Sequence, residues 1–322
     1  MMELPNLTEL ESAAAVVHSV MPPTPQYCWP LLSQRLGAEM WVKHENQTPT
    51  GAFKIRGGLV YLDDLKRSRP DIAGVISATT GNHGQSLAHA ATRLGLKATI
   101  VAPLNNSPDK NRAMVAFGAS LIEHGHDFQA AYEYALALAE RENLHPVRTF
   151  HPLLVRGVAS CGLELFRAMP DLDTVYSPIG QGSGICGLVA ARDALGCKAE
   201  IVGVVSANAP AYALSFAAGK MISTNSADTF AAGLAVRVPD PLALDIIRRS
   251  VARILTVTEA ELRDAIRTIF SDTHTLAEGA GAAALAGALQ ERDRLAGKKV
   301  AVIQSGGNID RALFAEILAG SA

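Results

Sequence analysis

Apolar residues along the chain gather into short runs separated by longer amphipathic stretches. Met40-Trp41-Val42-Lys43, Gly74 to Ala78, Ala98 to Ala102, Val175 to Ser177, Ile201 to Val205 and Val300 to Gln304 are compact apolar segments. Most are bounded by Gly, Pro, Asn or Ser, as strands buried on both faces of a parallel sheet require. Between them the period lengthens. Asp127 to Arg141 places Phe128, Ala131, Tyr132 and Ala135 on one helical face. Thr258-Glu259-Ala260-Glu261 reads as a capping box that opens a further helix. Thr8-Glu9-Leu10-Glu11 has the same pattern and predicts a first helix toward Val20, ended by Pro22 and Pro23. Alternating strands and helices predict a doubly wound α/β architecture, because parallel strands are joined through crossover helices. No repeat, low-complexity tract or linker interrupts the pattern, so any two domains must pack closely.

Composition narrows the partners more than the fold. Of 322 residues, 48% are hydrophobic and 19% charged, and the formal net charge is -2. Both signs are scattered and no basic block occurs, which argues against nucleic acid or an anionic membrane surface as partner. The N-terminal Met-Met-Glu-Leu-Pro lacks the basic start and apolar core of a signal peptide. No apolar run is long enough to span a bilayer. Cys28, Cys161, Cys186 and Cys197 show no metal-ligand spacing. Free thiols and a cytoplasmic location are the expectation.

Three glycine-containing turns follow predicted strands: Thr79-Thr80-Gly81-Asn82-His83-Gly84, Gly180-Gln181-Gly182-Ser183-Gly184 and Ser305-Gly306-Gly307-Asn308. Ligands of open α/β sheets bind beyond the carboxyl ends of the strands. There glycines admit close backbone approach, and helix-start amides favour anions. Each turn taken singly is equally well a tight connection. The middle one is the best phosphate cradle, although it lacks a Walker lysine and does not fit GxGxxG. Gly51-Ala52-Phe53-Lys54-Ile55-Arg56-Gly57-Gly58 carries a lysine between apolar neighbours at the start of a predicted helix. A cation there opposes the helix dipole. Such a lysine is either a solvated surface residue or an amine whose pKa falls on burial, ready to attack a carbonyl.

From about Pro23 to Leu318 the chain resembles the fold-type II pyridoxal-phosphate (PLP) enzymes, tryptophan synthase β-like in fold. Within them it is closest in pattern to the branch of threonine and serine dehydratases and serine racemases. The resemblance implies two packed α/β domains, each with a mostly parallel sheet: residues 1–72 with 151–322, and residues 73–150. It implies that Lys54 holds the cofactor covalently and that Phe53 lies against its ring. Thr79, Thr80, Gly81, Asn82 and His83 match the loop that holds the substrate carboxylate, Asn82 also reaching the cofactor's 3-oxygen. Gly180, Gln181, Gly182, Ser183 and Gly184 match the phosphate loop, Ser305 the residue at the pyridine nitrogen, and Glu278 an acidic position near the ring. A neutral serine beside that nitrogen makes a weaker electron sink, which favours loss of a β-substituent over transamination.

The activity implied is an ammonia-lyase acting on L-threonine, L-serine or a related hydroxy compound. A dehydratase of hydroxyectoine breakdown, an amino-acid racemase, a β-replacement synthase and a non-catalytic binding protein remain open. Racemases of the branch place a serine where this chain has Thr80, so Thr80 is the candidate second catalytic group. Metal-binding members carry an acidic residue where this chain reads Val204 to Ala211 without a carboxylate, so no divalent metal is expected there. Biosynthetic dehydratases have an added regulatory region after the point where this resemblance ends, which implies a catabolic enzyme. A homodimer is likewise implied. His83 reads as a positioning residue, Arg56 as structural, and Glu278 equally as a helix-start carboxylate. The small residues Gly279 to Ala288 read as close helix packing. Pro152 to Val155 and Phe230 to Leu234 are candidate walls of the side-chain pocket.

Overall fold

The computed structural model describes residues 3–320. In chain order its strands are β1 (Gln26–Cys28), β2 (Glu39–His44), β3 (Gly74–Ala78), β4 (Lys97–Ala102) and β5 (Ala119–Glu123). They continue with β6 (His145–Pro146), β7 (Thr174–Pro178), β8 (Glu200–Ser206), β9 (Arg253–Val257) and β10 (Lys299–Gln304). Six of them form one sheet in the order β1-β2-β10-β7-β8-β9, and four form another in the order β5-β4-β3-β6. Every pairing is parallel except β1 with β2. This is the α/β fold of parallel sheets flanked by helices that the apolar pattern predicts.

Burial on both faces explains the unbroken apolar runs. Along β8, Ile201 and Val205 enter one core cluster while Val202 and Val204 enter the cluster on the opposite face. Along β10, Ala301 and Ile303 divide from Val300 and Val302 in the same way. In the four-stranded sheet Val75 and Ile100 face one cluster, Ile76 and Val101 the other. Each such side chain contributes roughly 1.5–3 kcal/mol on leaving water. The small residues Gly279 to Ala288 are buried in the helix Gly279–Gln290. A Cβ on Gly287 would lie 2.6 Å from Val204 Cγ2, so this helix meets the sheet at backbone distance.

Two helix readings need correction. The first helix spans Leu7–His18 and is capped by Asn6, whose side chain accepts from Glu9 N while Glu9 accepts from Asn6 N. Asn caps as well as Thr does, and the earlier start lets Leu7 join Leu10 and Ala14 against the core. In the helix Phe128–Glu142 the buried face is Ala131, Ala135, Leu138 and Ala139, whereas Phe128 is 44% exposed. The Thr258 capping box forms as read, with Glu261 as its partner. Among the described residues no helix is long and apolar enough to cross a membrane.

Candidate active site

The lysine segment is fixed before its helix begins. Thr48 Oγ1 accepts from Ala52 N at 2.9 Å, and Gly51 turns with a positive φ of 68°. Ala52 bridges to Gly306, Phe53 N donates to Ser305 O at 3.0 Å, and Gly307 N donates to Gly51 O at 2.9 Å. The segment is thereby sewn to the turn after β10, and the helix Lys54–Ser68 starts from it. Behind the helix, Gly58 meets Ser86 so closely that a Cβ would lie 2.2 Å from Ser86 Oγ. That hydroxyl donates to Lys54 O at 2.7 Å.

Lys54 is half-buried, and its ammonium lies 5.3 Å from the Phe53 ring centroid. Loss of water around the amine lowers its pKa to about 8, and the negative charge of Glu278 limits the fall. Burial raises the Glu278 pKa, against the opposing effects of Lys110, the Asn82 hydrogen bond and Lys54. Asn82 Nδ2 donates to Glu278 Oε1 at 2.6 Å, and Asn82 Oδ1 accepts from Asn308 Nδ2 at 2.7 Å. His83 is buried, and burial followed by the charge of Lys54 brings its pKa down to about 3. Its Nε2 is buried with no hydrogen-bond partner among the described residues. A neutral imidazole beside a weakly basic amine suits a positioning residue better than a general base. Thr79 Oγ1 accepts from Gly81 N at 3.2 Å, closing the turn, and Thr80 is half-buried with its carbonyl accepting from Asn106 Nδ2.

The middle glycine turn stands at the end of β7 and opens the helix Ser183–Ala194. Gly182 adopts a φ of 99° as its cap, and a Cβ on Gly180 would collide with Gly233 O at 2.2 Å. Gln181 offers its carbonyl to Tyr212 Oη at 2.9 Å. Ser305 Oγ donates to Ala280 O at 3.3 Å. One cavity is lined by Phe53, Ser177, Gly184 and Ser305. A second is lined by Lys110, Phe230, Ala232, Glu278, Asn308 and Asp310.

The candidate residues thus converge from both sheets. Phe230 and Ala232 do wall a cavity, but Pro152 to Val155 form the first turn of a helix whose Leu154 packs on Gly57. Arg56 is indeed structural: wholly buried, it binds Glu45 and Glu164, and Lys43 completes the group on Glu164. The loop after β8 also receives a carboxylate from a distance. Glu259 accepts from Ser206 Oγ at 3.0 Å and from Phe230 N at 3.0 Å. Asn308, quoted within its turn but given no role, is part of the site. Its side chain occupies space left by Gly51, where a Cβ would lie 2.7 Å from Asn308 Oδ1.

A profile of the family described as pyridoxal-phosphate dependent enzymes matches residues 19–306. The chain belongs to this family. It is 34% identical over 308 residues to the L-threonine ammonia-lyase of Thermotoga maritima, covering 94% of this chain and 76% of that protein. It is 30% identical to the L-threo-3-hydroxyaspartate ammonia-lyase of Saccharomyces cerevisiae, covering 99% of this chain and 98% of the relative. The processed threonine deaminase isoform 2 of Solanum lycopersicum superposes with a TM-score of 0.90 at 28% identity, covering 99% and 97% of the two chains. The architecture is therefore that of fold-type II PLP enzymes of the threonine dehydratase-like branch.

The residues present fit that cofactor. A desolvated amine with no hydrogen-bond partner among the described residues suits an aldehyde. A cradle too narrow for side chains lies at a helix N-terminus, where a phosphate is favoured.

Proposed function

We propose that the chain is a PLP-dependent ammonia-lyase that removes the β-hydroxyl of a small hydroxy-amino acid such as L-threonine or L-serine. The products are a 2-oxo acid and ammonia. The observation that carries this reading is Lys54: its amine lies 5.3 Å from the Phe53 ring centroid with no salt-bridge partner among the described residues, and loss of water holds its pKa at about 8. Bound on Lys54, the cofactor supplies an electron sink for the pair left at the substrate α-carbon.

The chain's own residues do the remainder. With the cofactor bound, the Lys54 amine would take the substrate α-proton, for which a pKa near the working pH is suited. Gly180 to Gly184 present helix-start amides to the phosphate. The loop Thr79 to His83 holds the substrate carboxylate, with His83 kept neutral so that it can position without competing for the proton. Ser305 offers the ring nitrogen a neutral hydroxyl, which discourages transamination. A hydroxy-dicarboxylate substrate is the second reading. It is favoured by Lys110 in the wall beside Glu278 and by the end-to-end likeness to the yeast enzyme.

The test is the absorbance spectrum of protein supplied with PLP, before and after L-threonine, L-serine or L-threo-3-hydroxyaspartate, alongside Lys54→Ala. A visible band in wild type only, with 2-oxo acid formed from one of the three, is the expected result. A protein that gains no band would overturn the reading. A band without 2-oxo acid would discard the lyase assignment.

A further inference from the structure

Asn82, Asn308 and Glu278 form a chain of hydrogen bonds whose direction can be worked out from one end. Asn308 Nδ2 lies 2.9 Å from Thr50 O, and a backbone carbonyl can only accept. The atom of Asn308 that faces Thr50 is therefore its nitrogen. The same nitrogen sits 2.7 Å from Asn82, so the Asn82 atom facing it must be the oxygen. Asn82 must then turn its own nitrogen to Glu278 Oε1, 2.6 Å away. Both hydrogens of Asn308 Nδ2 are used, whereas among the described residues Asn82 Nδ2 has given only one. An amide whose orientation is ordinarily a matter of inference is here settled by the carbonyl at the start of the chain.

Two glycines make the arrangement possible. A Cβ on Gly51 would lie 2.7 Å from Asn308 Oδ1, and one on Gly306 would lie 2.6 Å from Glu278 Oε1. Gly51 also holds a φ of 68°, a conformation that side-chain-bearing residues avoid. Space for the carboxamide and for the carboxylate has thus been cleared separately, on two strands of chain that bind each other through Gly307 N and Gly51 O.

We propose that Asn308 is a positioning residue that fixes the polarity of Asn82, so that Asn82 presents its remaining N–H, never its oxygen, to the cofactor. This rests on the PLP reading above. With the cofactor bound, that N–H would meet its anionic ring oxygen, as the family resemblance implies. An N–H donated to it lowers the pKa at which the lysine-bound nitrogen loses its proton, because the oxygen's charge is least compensated after that loss. A purely structural role for Asn308 would leave this titration in place.

The experiment is a pH titration of the visible band of the PLP-loaded enzyme. It compares wild type, Asn308→Asp, Asn308→Ala, Asn82→Ala and the double variant Asn82→Ala/Asn308→Ala. Asn308→Asp is nearly isosteric but can only accept, so Asn82 must turn its nitrogen toward it. The expected result is an upward shift of the apparent pKa by about one unit for Asn308→Asp and a smaller upward shift for Asn308→Ala. In the Asn82→Ala background, Asn308→Ala should add nothing. Should Asn308→Asp fail to fold, the Asn308→Ala cycle reads the same coupling. An unchanged titration in Asn308→Ala, or an equal shift with and without Asn82, would overturn the proposal. A wild type without any visible band would overturn both this and the PLP reading, whereas a normal band indifferent to residue 308 would overturn this alone.

Discussion

Lys54 and Arg56 open the same helix, yet their charged ends meet opposite surroundings. All three guanidinium nitrogens of Arg56 are engaged: Nε binds Glu45, while the terminal nitrogens reach Ser160, Thr24, Glu45 and both oxygens of Glu164. Lys43 adds a bond of 2.6 Å to Glu164 and another to Thr24 O. Burial alone would weaken the Arg56 charge, but Glu45 and its neighbours outweigh it and raise the pKa above the ordinary value. The result is a closed group of two cations and two anions, satisfied and inert. Around Lys54 the loss of water is offset only in part, by the charge of Glu278, and the pKa falls instead. The lowered proton affinity of Lys54 comes from withholding partners from a charge, two residues along from a place where they are supplied.

Breaking the closed group should have the largest effect. Arg56→Met leaves Glu45 and Glu164 buried with too few donors, and such truncations cost about 3–5 kcal/mol. Urea unfolding should show the loss directly. A stability within ~1 kcal/mol of wild type would mean that the group is as weak as a surface ion pair. Lys54→Met tests the other half. Removing an under-partnered amine should stabilise the cofactor-free protein by about 1 kcal/mol at neutral pH. The sign reverses the usual lysine case: the folded pKa of about 8 lies below the ordinary lysine value of 10.5. Wild type should therefore gain on Lys54→Met as pH rises from about 8 to about 10.5, which urea midpoints at the two ends would reveal.

The smallest expected effect concerns Glu278. Its charge holds up the Lys54 pKa, so Glu278→Gln should lower the midpoint at which the amine becomes nucleophilic. A drop of about half a unit is reasonable for one charge in a protein interior. The pH dependence of Lys54 capture by an aldehyde measures it. A midpoint that stays put or rises would remove Glu278 from the electrostatics of the site.

The central strands were legible because burial on both faces leaves an unmistakable apolar run, as in Gly74–Ala78, which is wholly buried. The strands not foreseen lack that mark. β1 is the antiparallel edge strand with two exposed residues, and β9 is only partly covered. Lys54, Asn82 and the glycine turns could be found because their local context is distinctive. Glu45, Glu164 and Glu259 could not, since each acquires its role from partners far along the chain. Glu164 meets Arg56 across 108 residues, and Glu259 reaches Ser206 across 53. The missed cap at Asn6 has a different cause. Two overlapping boxes satisfy the same local rule, and only packing of the apolar face chooses between them.

The order of strands in the larger sheet has a consequence for how the enzyme is made. β10 lies between β2 and β7 and carries on its far end the turn that ties down the lysine segment. A ribosome delivers β2 and Lys54 early, but their central neighbour arrives some two hundred and fifty residues later. Until then Lys54 is a solvated lysine with the ordinary proton affinity of its kind. On the proposed reading, closing the sheet is what lowers that affinity and primes the amine.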